Sequence, residues 1–261
     1  MRSVFGPIET AQLGTVLGVD MVTSQRKYCS YDCIYCQSSR HTHGVARRRQ
    51  YVGLTWIEAI LEKEKPFDVD FVVFSGMGEP TLASNLGDAI DLVKASLGLP
   101  VAVLTNSSLV PKEDVRRDLC KADVVVAKLD APNDELFQQI NRPFVPYSVG
   151  EIVAGLEQFR SQFQGRLILQ PTLIAENSAV ADELGSIAKR LSPCEVQLNT
   201  PLACQMQLSV TQLDQARLSF ADLKTTSVLD SGQTACDPFA LRMPPLRPAA
   251  SVMLMSWATA S

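Results

Sequence analysis

The chain has 261 residues, 46% of them hydrophobic and 20% charged, with a formal net charge of -4. That length and apolar share predict one globular domain with a sizeable core, and the mildly acidic balance speaks against bulk nucleic-acid binding, which leaves a basic footprint. Seven cysteines, an odd number, fit a reducing cytoplasm better than a secreted disulfide framework, the first residues show no signal-peptide core, and no apolar run reaches the length of a membrane span.

Residues 15–22 read as a first strand, followed by a loop over 23–40 that carries three cysteines. A helix is expected over 55–65, with Thr55 and Glu58 spaced as a capping box. The apolar run 71–74 is a short buried strand ending at Ser75-Gly-Met-Gly-Glu-Pro80. A helix over 85–97, a strand over 101–104, a helix over 112–121 and a strand over 124–127 follow. Residues 148–163 form a long amphipathic helix with a capping pair in Ser148 and Glu151. A strand over 167–173, a helix over 179–191, a strand over 195–198 and a helix over 211–224 complete the series. Alternating β and α runs predict a parallel sheet. The count is six strand-plus-helix units, where a closed barrel takes eight and about 250 residues, so an α/β fold with a laterally open, partial (β/α)6 barrel is expected. After Cys236 the chain is rich in Pro, Ala and Met without periodicity. Residues 225–261 are therefore read as a tail: a disordered end, a segment covering the substrate, or an atypical terminus.

Cys29, Cys33 and Cys36 stand in a Cys-x3-Cys-x2-Cys run. Three thiolates on one short loop can hold three irons of a cubane and leave the fourth iron open for chemistry. A zinc site would instead need a fourth ligand, and His41 or His43 is close in sequence. The two glycines of 76–79 let a ligand approach the backbone closely, although a tight βα turn asks for the same residues. Arg40, His41, His43 and Arg47–Arg49 make the one concentrated positive stretch, read as a solvated loop or as a surface for an anionic substrate. Arg142 could meet a carboxylate or simply face solvent. Cys120 ends an apolar helix face as a small core residue, and Cys194, Cys204 and Cys236 show no cluster-like spacing.

The cysteine run, the Gly-Met-Gly-Glu turn one helix and one strand later, and an ordered set of short matches give a family resemblance. Those matches include Phe5-Gly-Pro7, Leu17-Gly-Val-Asp20, Val103-Leu-Thr-Asn106, Ile140-Asn-Arg-Pro143 and Val196-Gln-Leu-Asn-Thr-Pro201. Over roughly residues 4–201 the chain resembles the radical S-adenosylmethionine (radical SAM) superfamily. Within it, the likeness is to short proteins described as Fe-S oxidoreductases, distantly similar to wybutosine-synthesising enzymes that modify tRNA. The resemblance implies a core domain over 1–224 and two cofactors, a [4Fe-4S] cluster on Cys29, Cys33 and Cys36, and SAM. Carried over by position, Tyr35 would pack near the adenine, and Gly76, Gly78 and Glu79 would shape the methionyl site. Thr105 and Asn106 would face methionyl or ribose groups, Asp130 would bind ribose hydroxyls, and Gln170 and Asn199 would face the adenosyl moiety. The implied reaction is reductive cleavage of SAM to a 5′-deoxyadenosyl radical that abstracts hydrogen from a substrate, with a flavodoxin-like or ferredoxin-like electron donor. A chain of this length has little material for a lid, so a large substrate, a tRNA or a protein, is expected to cover the open side. A glycyl-radical activating enzyme and an iron-sulfur electron-transfer or metal-binding module without SAM chemistry are the competing readings.

Overall fold

The computed structural model describes residues 3–10, 13–22, 27–36, 42–64, 68–201 and 205–230. Its strands are β1 (Val4–Thr10), β2 (Gly14–Val19), β3 (Lys27–Cys29), β4 (Thr42–Gly44), β5 (Phe71–Phe74), β6 (Val101–Thr105), β7 (Val124–Lys128), β8 (Arg166–Gln170), β9 (Glu195–Leu198) and β10 (Thr225–Ser227). Eight of them form one sheet in the order β1-β2-β5-β6-β7-β8-β9-β10, and β3 pairs with β4 beside it. From β2 to β10 every neighbour is parallel, while β1 is an antiparallel edge strand. The structure is thus an α/β fold with a mostly parallel, laterally open sheet, as the βα count predicts. It has one parallel strand more than expected: Thr225–Ser227 pairs with Val196–Leu198 beyond the boundary placed at 224.

The helices on the sheet are α1 (Leu54–Glu64), α2 (Leu86–Leu97), α3 (Glu113–Leu119), α4 (Asp134–Ile140), α5 (Val149–Gln162), α6 (Ala175–Ser178), α7 (Ala181–Leu191) and α8 (Val210–Arg217). The helix read over 112–121 is shorter, Glu113–Leu119, the strands read over 15–22 and 167–173 end at Val19 and Gln170, and three further helix boundaries differ from the sequence reading. The first helix starts at Leu54, and the Gly53 carbonyl accepts from Trp56 and Ile57 N–H, so Thr55 lies inside the first turn rather than capping it. The stretch 179–191 begins after a separate short helix, α6. The last helix stops at Arg217 and tightens into a 3-10 turn over Leu218–Phe220. The capping box at Ser148 and Glu151 is present: the Ser148 hydroxyl accepts from Glu151 N–H at 3.2 Å, and the Glu151 carboxylate accepts from Ser148 N–H at 2.9 Å.

The central strands are apolar and β-branched because both their faces are covered. Alternate positions sort into two layers. Val101, Val103, Val125, Ala127, Leu167 and Leu169 join the large core under the helices. Val16, Val73, Ala102, Leu104, Val124, Val126 and Ile168 form a smaller cluster inside the curve of the sheet. Phe159 on α5 is fully buried and stacks on Phe163 at 4.7 Å between centroids. Phe159→Ala is expected to lower unfolding free energy by about 3–5 kcal/mol, the usual cost of emptying a packed aromatic site. A urea melt of the metal-free protein reads it, and a change below about 1 kcal/mol would contradict the packing described. Among the described residues no helix is long and apolar enough to cross a membrane.

Candidate active site

At the carboxyl ends of the strands the inward-facing positions change from apolar to polar. The parity that puts Val126 and Ile168 inside continues to Lys128 and Gln170, both buried. Asp20, Ser75, Gln197 and Asn199 are buried at the ends of β2, β5 and β9. Ligands of parallel βα folds bind at this end, and the cysteine loop lies over it.

Cys29 ends β3, while Cys33 and Cys36 follow on the loop. All three are free thiols, the first two buried and the third half-buried. Burial pushes the Cys29 thiol up to about 12, against the pull of Lys27, and the Cys33 thiol up to about 11, aided by Asp130. In the metal-free protein the Cys29 and Cys33 sulfurs therefore stay protonated at neutral pH, and bound metal is what would hold them as thiolates. Lys27 is 4% exposed with Nζ 3.1 Å from Cys36 Sγ. Burial works against its charge, and the neighbouring cysteines, once they are thiolates, more than offset it and raise its pKa. Among the described residues no three His, Cys, Asp or Glu side chains gather around one ion position. A lone zinc would need such a convergence, whereas a cubane takes each thiolate on its own iron. His43 instead lies against the Tyr28 ring at 5.6 Å, and His41 lies outside the described residues. The donor set fits a cluster.

The Gly-Met-Gly-Glu turn packs directly under this loop. A Cβ on Gly78 would fall 1.9 Å from the Tyr28 carbonyl oxygen, and one on Gly76 2.2 Å from Asp20 Cγ. Gly78 is thus required by the approach of turn to loop, and Gly76 by the approach of the turn to the Asp20 side chain at the end of β2, whatever else they hold. Glu79 is 2% exposed. Its Oε1 accepts from Thr81 N–H at 3.0 Å, from the Thr81 hydroxyl at 2.6 Å and from the Thr105 hydroxyl at 2.7 Å. Its Oε2 accepts from Asn106 N–H at 2.7 Å. Burial raises the pKa of this carboxyl, and these donors oppose the rise. Glu79 therefore clamps the turn to the end of β6.

Asp130, 3% exposed, is the hub on the other side. The Tyr35 hydroxyl donates to its Oδ2, as does Asn141 Nδ2 at 2.8 Å. Thr172 N–H donates to Oδ1 at 2.8 Å, and Lys128 Nζ stands 3.4 Å from the same oxygen. Lys128 also donates to the Thr172 hydroxyl and lies 5.2 Å over the Tyr35 ring. Tyr35, Thr105, Asn106 and Asp130 are thus brought together around the loop, with their polar atoms engaged inside the protein. Gln170 and Asn199 differ. Gln170 Oε1 and Asn199 Oδ1 are buried without a hydrogen-bond partner, as is Ser75 Oγ. Buried polar atoms elsewhere, Asn85 Oδ1 and Arg116 Nε among them, also lack a partner, so it is the shared strand-end position of these three that suits a ligand.

Five participants escaped the sequence reading: Asp20, Lys27, Lys128, Asn141 and Thr172. The basic stretch is only partly solvated. Arg48, 8% exposed in its side chain, is bound by Asp114 at 2.6 Å and Asp118 at 2.5 Å. Arg49 lies over Tyr51 at 4.6 Å and Tyr28 at 5.2 Å, and Arg47 is exposed. Arg142 is exposed at φ 46°, and Cys120 packs partly buried against the core. Cys194 is exposed, while Arg40, Cys204 and Cys236 lie outside the described residues.

A barrel of this kind with three cysteines over its strand ends defines a class, and family comparison agrees: a model of the radical SAM superfamily matches residues 26–177, and the chain belongs to that superfamily. The cofactors of that superfamily are a [4Fe-4S] cluster and SAM. A UPF0026 protein of Synechocystis is 32% identical over 76% of this chain and 75% of its own length. One from Methanocaldococcus jannaschii is 32% identical over 77% of this chain, which spans 64% of that relative. Among solved structures, a radical SAM methyltransferase from Sphaerobacter thermophilus superposes with a TM-score of 0.61 at 20% identity, covering 82% of this chain and 65% of that one, a likeness of fold.

Proposed function

We propose that Cys29, Cys33 and Cys36 hold the cluster and that the protein cleaves SAM reductively to abstract hydrogen from a large substrate. The observation that carries this reading is the placement of the three sulfurs over a ring of buried strand-end polar groups, three of them with acceptors left unpaired. When bound, the cluster supplies one electron that splits SAM into methionine and a 5′-deoxyadenosyl radical. The turn 76–79 offers backbone to the methionyl group, fixed by Glu79 through Thr105 and Asn106. Gln170 and Asn199 present amides to the adenosyl group, and Tyr35 is held in place by Asp130 to pack against it. The electron comes from a flavodoxin-like or ferredoxin-like donor.

The substrate enters over the open strand ends. Arg49 lies over the rings of Tyr28 and Tyr51 with the exposed Arg47 close in the chain, and a cationic surface with aromatic rings suits a phosphate-bearing strand, which favours an RNA substrate over a protein. The test is anaerobic reconstitution with iron and sulfide, reduction with dithionite, and measurement of 5′-deoxyadenosine from SAM. Formation dependent on the cluster is expected. Iron-loaded protein that leaves SAM intact would support an electron-transfer module instead.

A further inference from the structure

Each of the three cysteine sulfurs has its own N–H donor from a different part of the fold. Lys27 Nζ, on β3, stands 3.1 Å from Cys36 Sγ. Asn106 Nδ2, just past β6, is 3.6 Å from Cys29 Sγ, and Asn141 Nδ2, at the C-terminal cap of α4, is 3.4 Å from Cys33 Sγ. The orientation of both amides is determined by their other bonds. Asn106 Oδ1 accepts from Ser108 N–H at 3.0 Å, so the remaining atom is the nitrogen, which also donates to Ser30 Oγ at 2.9 Å. Asn141 Nδ2 is 2.8 Å from a carboxylate oxygen of Asp130, which calls for a donor. Each amide therefore spends one N–H on an oxygen anchor, and this aims the other at a sulfur. Cys33 and Asn141 are 108 positions apart in the chain, so the convergence is tertiary rather than a by-product of a local turn.

Resting on the reading that these cysteines hold the cluster, we propose that Lys27, Asn106 and Asn141 act as a set of N–H···S donors that raises the reduction potential of that cluster, with Lys27 the strongest. Adding one electron increases negative charge on the cluster and its sulfurs, so a donor at a sulfur stabilises the reduced form more than the oxidised one. Lys27 adds a full positive charge within a buried, weakly screened site, and the two amides add only dipoles. Residues that merely brace the loop would alter how well iron is retained and leave the potential where it was.

The experiment is a potentiometric titration of the reconstituted full chain without SAM, following the reduced cluster by EPR. Lys27→Met is expected to lower the reduced-to-oxidised ratio at a fixed potential about tenfold, a shift of about 59 mV to lower potential for one electron. Lys27→Arg, which keeps charge and donors, is expected to restore most of it. Asn106→Ala and Asn141→Ala should move the midpoint the same way by less. An unchanged midpoint in iron-replete Lys27→Met, or equal shifts in Lys27→Met and Lys27→Arg, overturns the proposal. Failure of all these variants to retain iron overturns it too, assigning the residues to assembly. If the unsubstituted protein itself takes up no EPR-active [4Fe-4S] cluster, the assignment of the cysteines is what fails, and this shows before any variant is compared.

Discussion

Cys33→Ala protein, reconstituted anaerobically, will retain little iron and form 5′-deoxyadenosine only at background. With Cys33 gone, two protein sulfurs remain on the loop, too few to hold a cubane against loss to solvent. Cys29→Ala should behave alike, because the buried thiols become thiolates only on taking up metal, their pKa values otherwise standing at about 12 and about 11. The metal-free variants should remain folded, since each substitution removes one sulfur at the rim of the large core, at the end of β3 or just after it, and leaves the eight-stranded sheet paired as before. Iron content, the cluster absorption band and SAM turnover read the effect. A Cys33→Ala protein with full iron and full turnover would remove the loop from the reaction.

Asp130→Ala is expected to destabilise the metal-free protein by about 3–5 kcal/mol, the usual cost of breaking a buried ion pair from one side. The substitution removes the carboxylate from buried Lys128 at 3.4 Å and takes an acceptor from Tyr35, Asn141 and the Thr172 amide. Asp130→Asn keeps the shape and one oxygen acceptor, so it should cost clearly less. Urea unfolding of the two variants side by side measures the difference. Equal, small losses would show that Lys128 and Asp130 gain little from one another. The loss should reach the cluster as well, because Asp130 is what turns Asn141 toward Cys33.

The barrel was legible because its strands are short, apolar and β-branched, and the runs at 71–74, 101–104, 124–127 and 195–198 coincide with β5, β6, β7 and β9 to within a residue. The strand Thr225–Ser227 was not, since three small polar residues carry no strand pattern and owe their conformation to pairing with β9. The cysteine spacing is local, so the loop could be read directly. The environment of its sulfurs could not: Asn106 and Asn141 reach them only after the strands are assembled. Glu79, Asn106 and Asp130 were placed at the right end of the sheet, but no linear pattern says that their polar atoms are taken by Thr81, Thr105, Ser30, Tyr35 and Thr172. Lys128 was within reach, because the alternation of β7 carried one residue further puts it inside.

The separation of the strands into an outer layer under the helices and an inner layer facing the cavity has an evolutionary consequence. Stability is vested mainly in Val103, Val125, Leu167 and their partners on one side, and the groups lining the cavity mouth stand on the other. Polar positions at the cavity mouth outside the proposed cofactor set can therefore be exchanged with little effect on the packed layers, and the same scaffold can be retargeted to new molecules while its radical-generating end, Gln170 and Asn199 included, stays as it is.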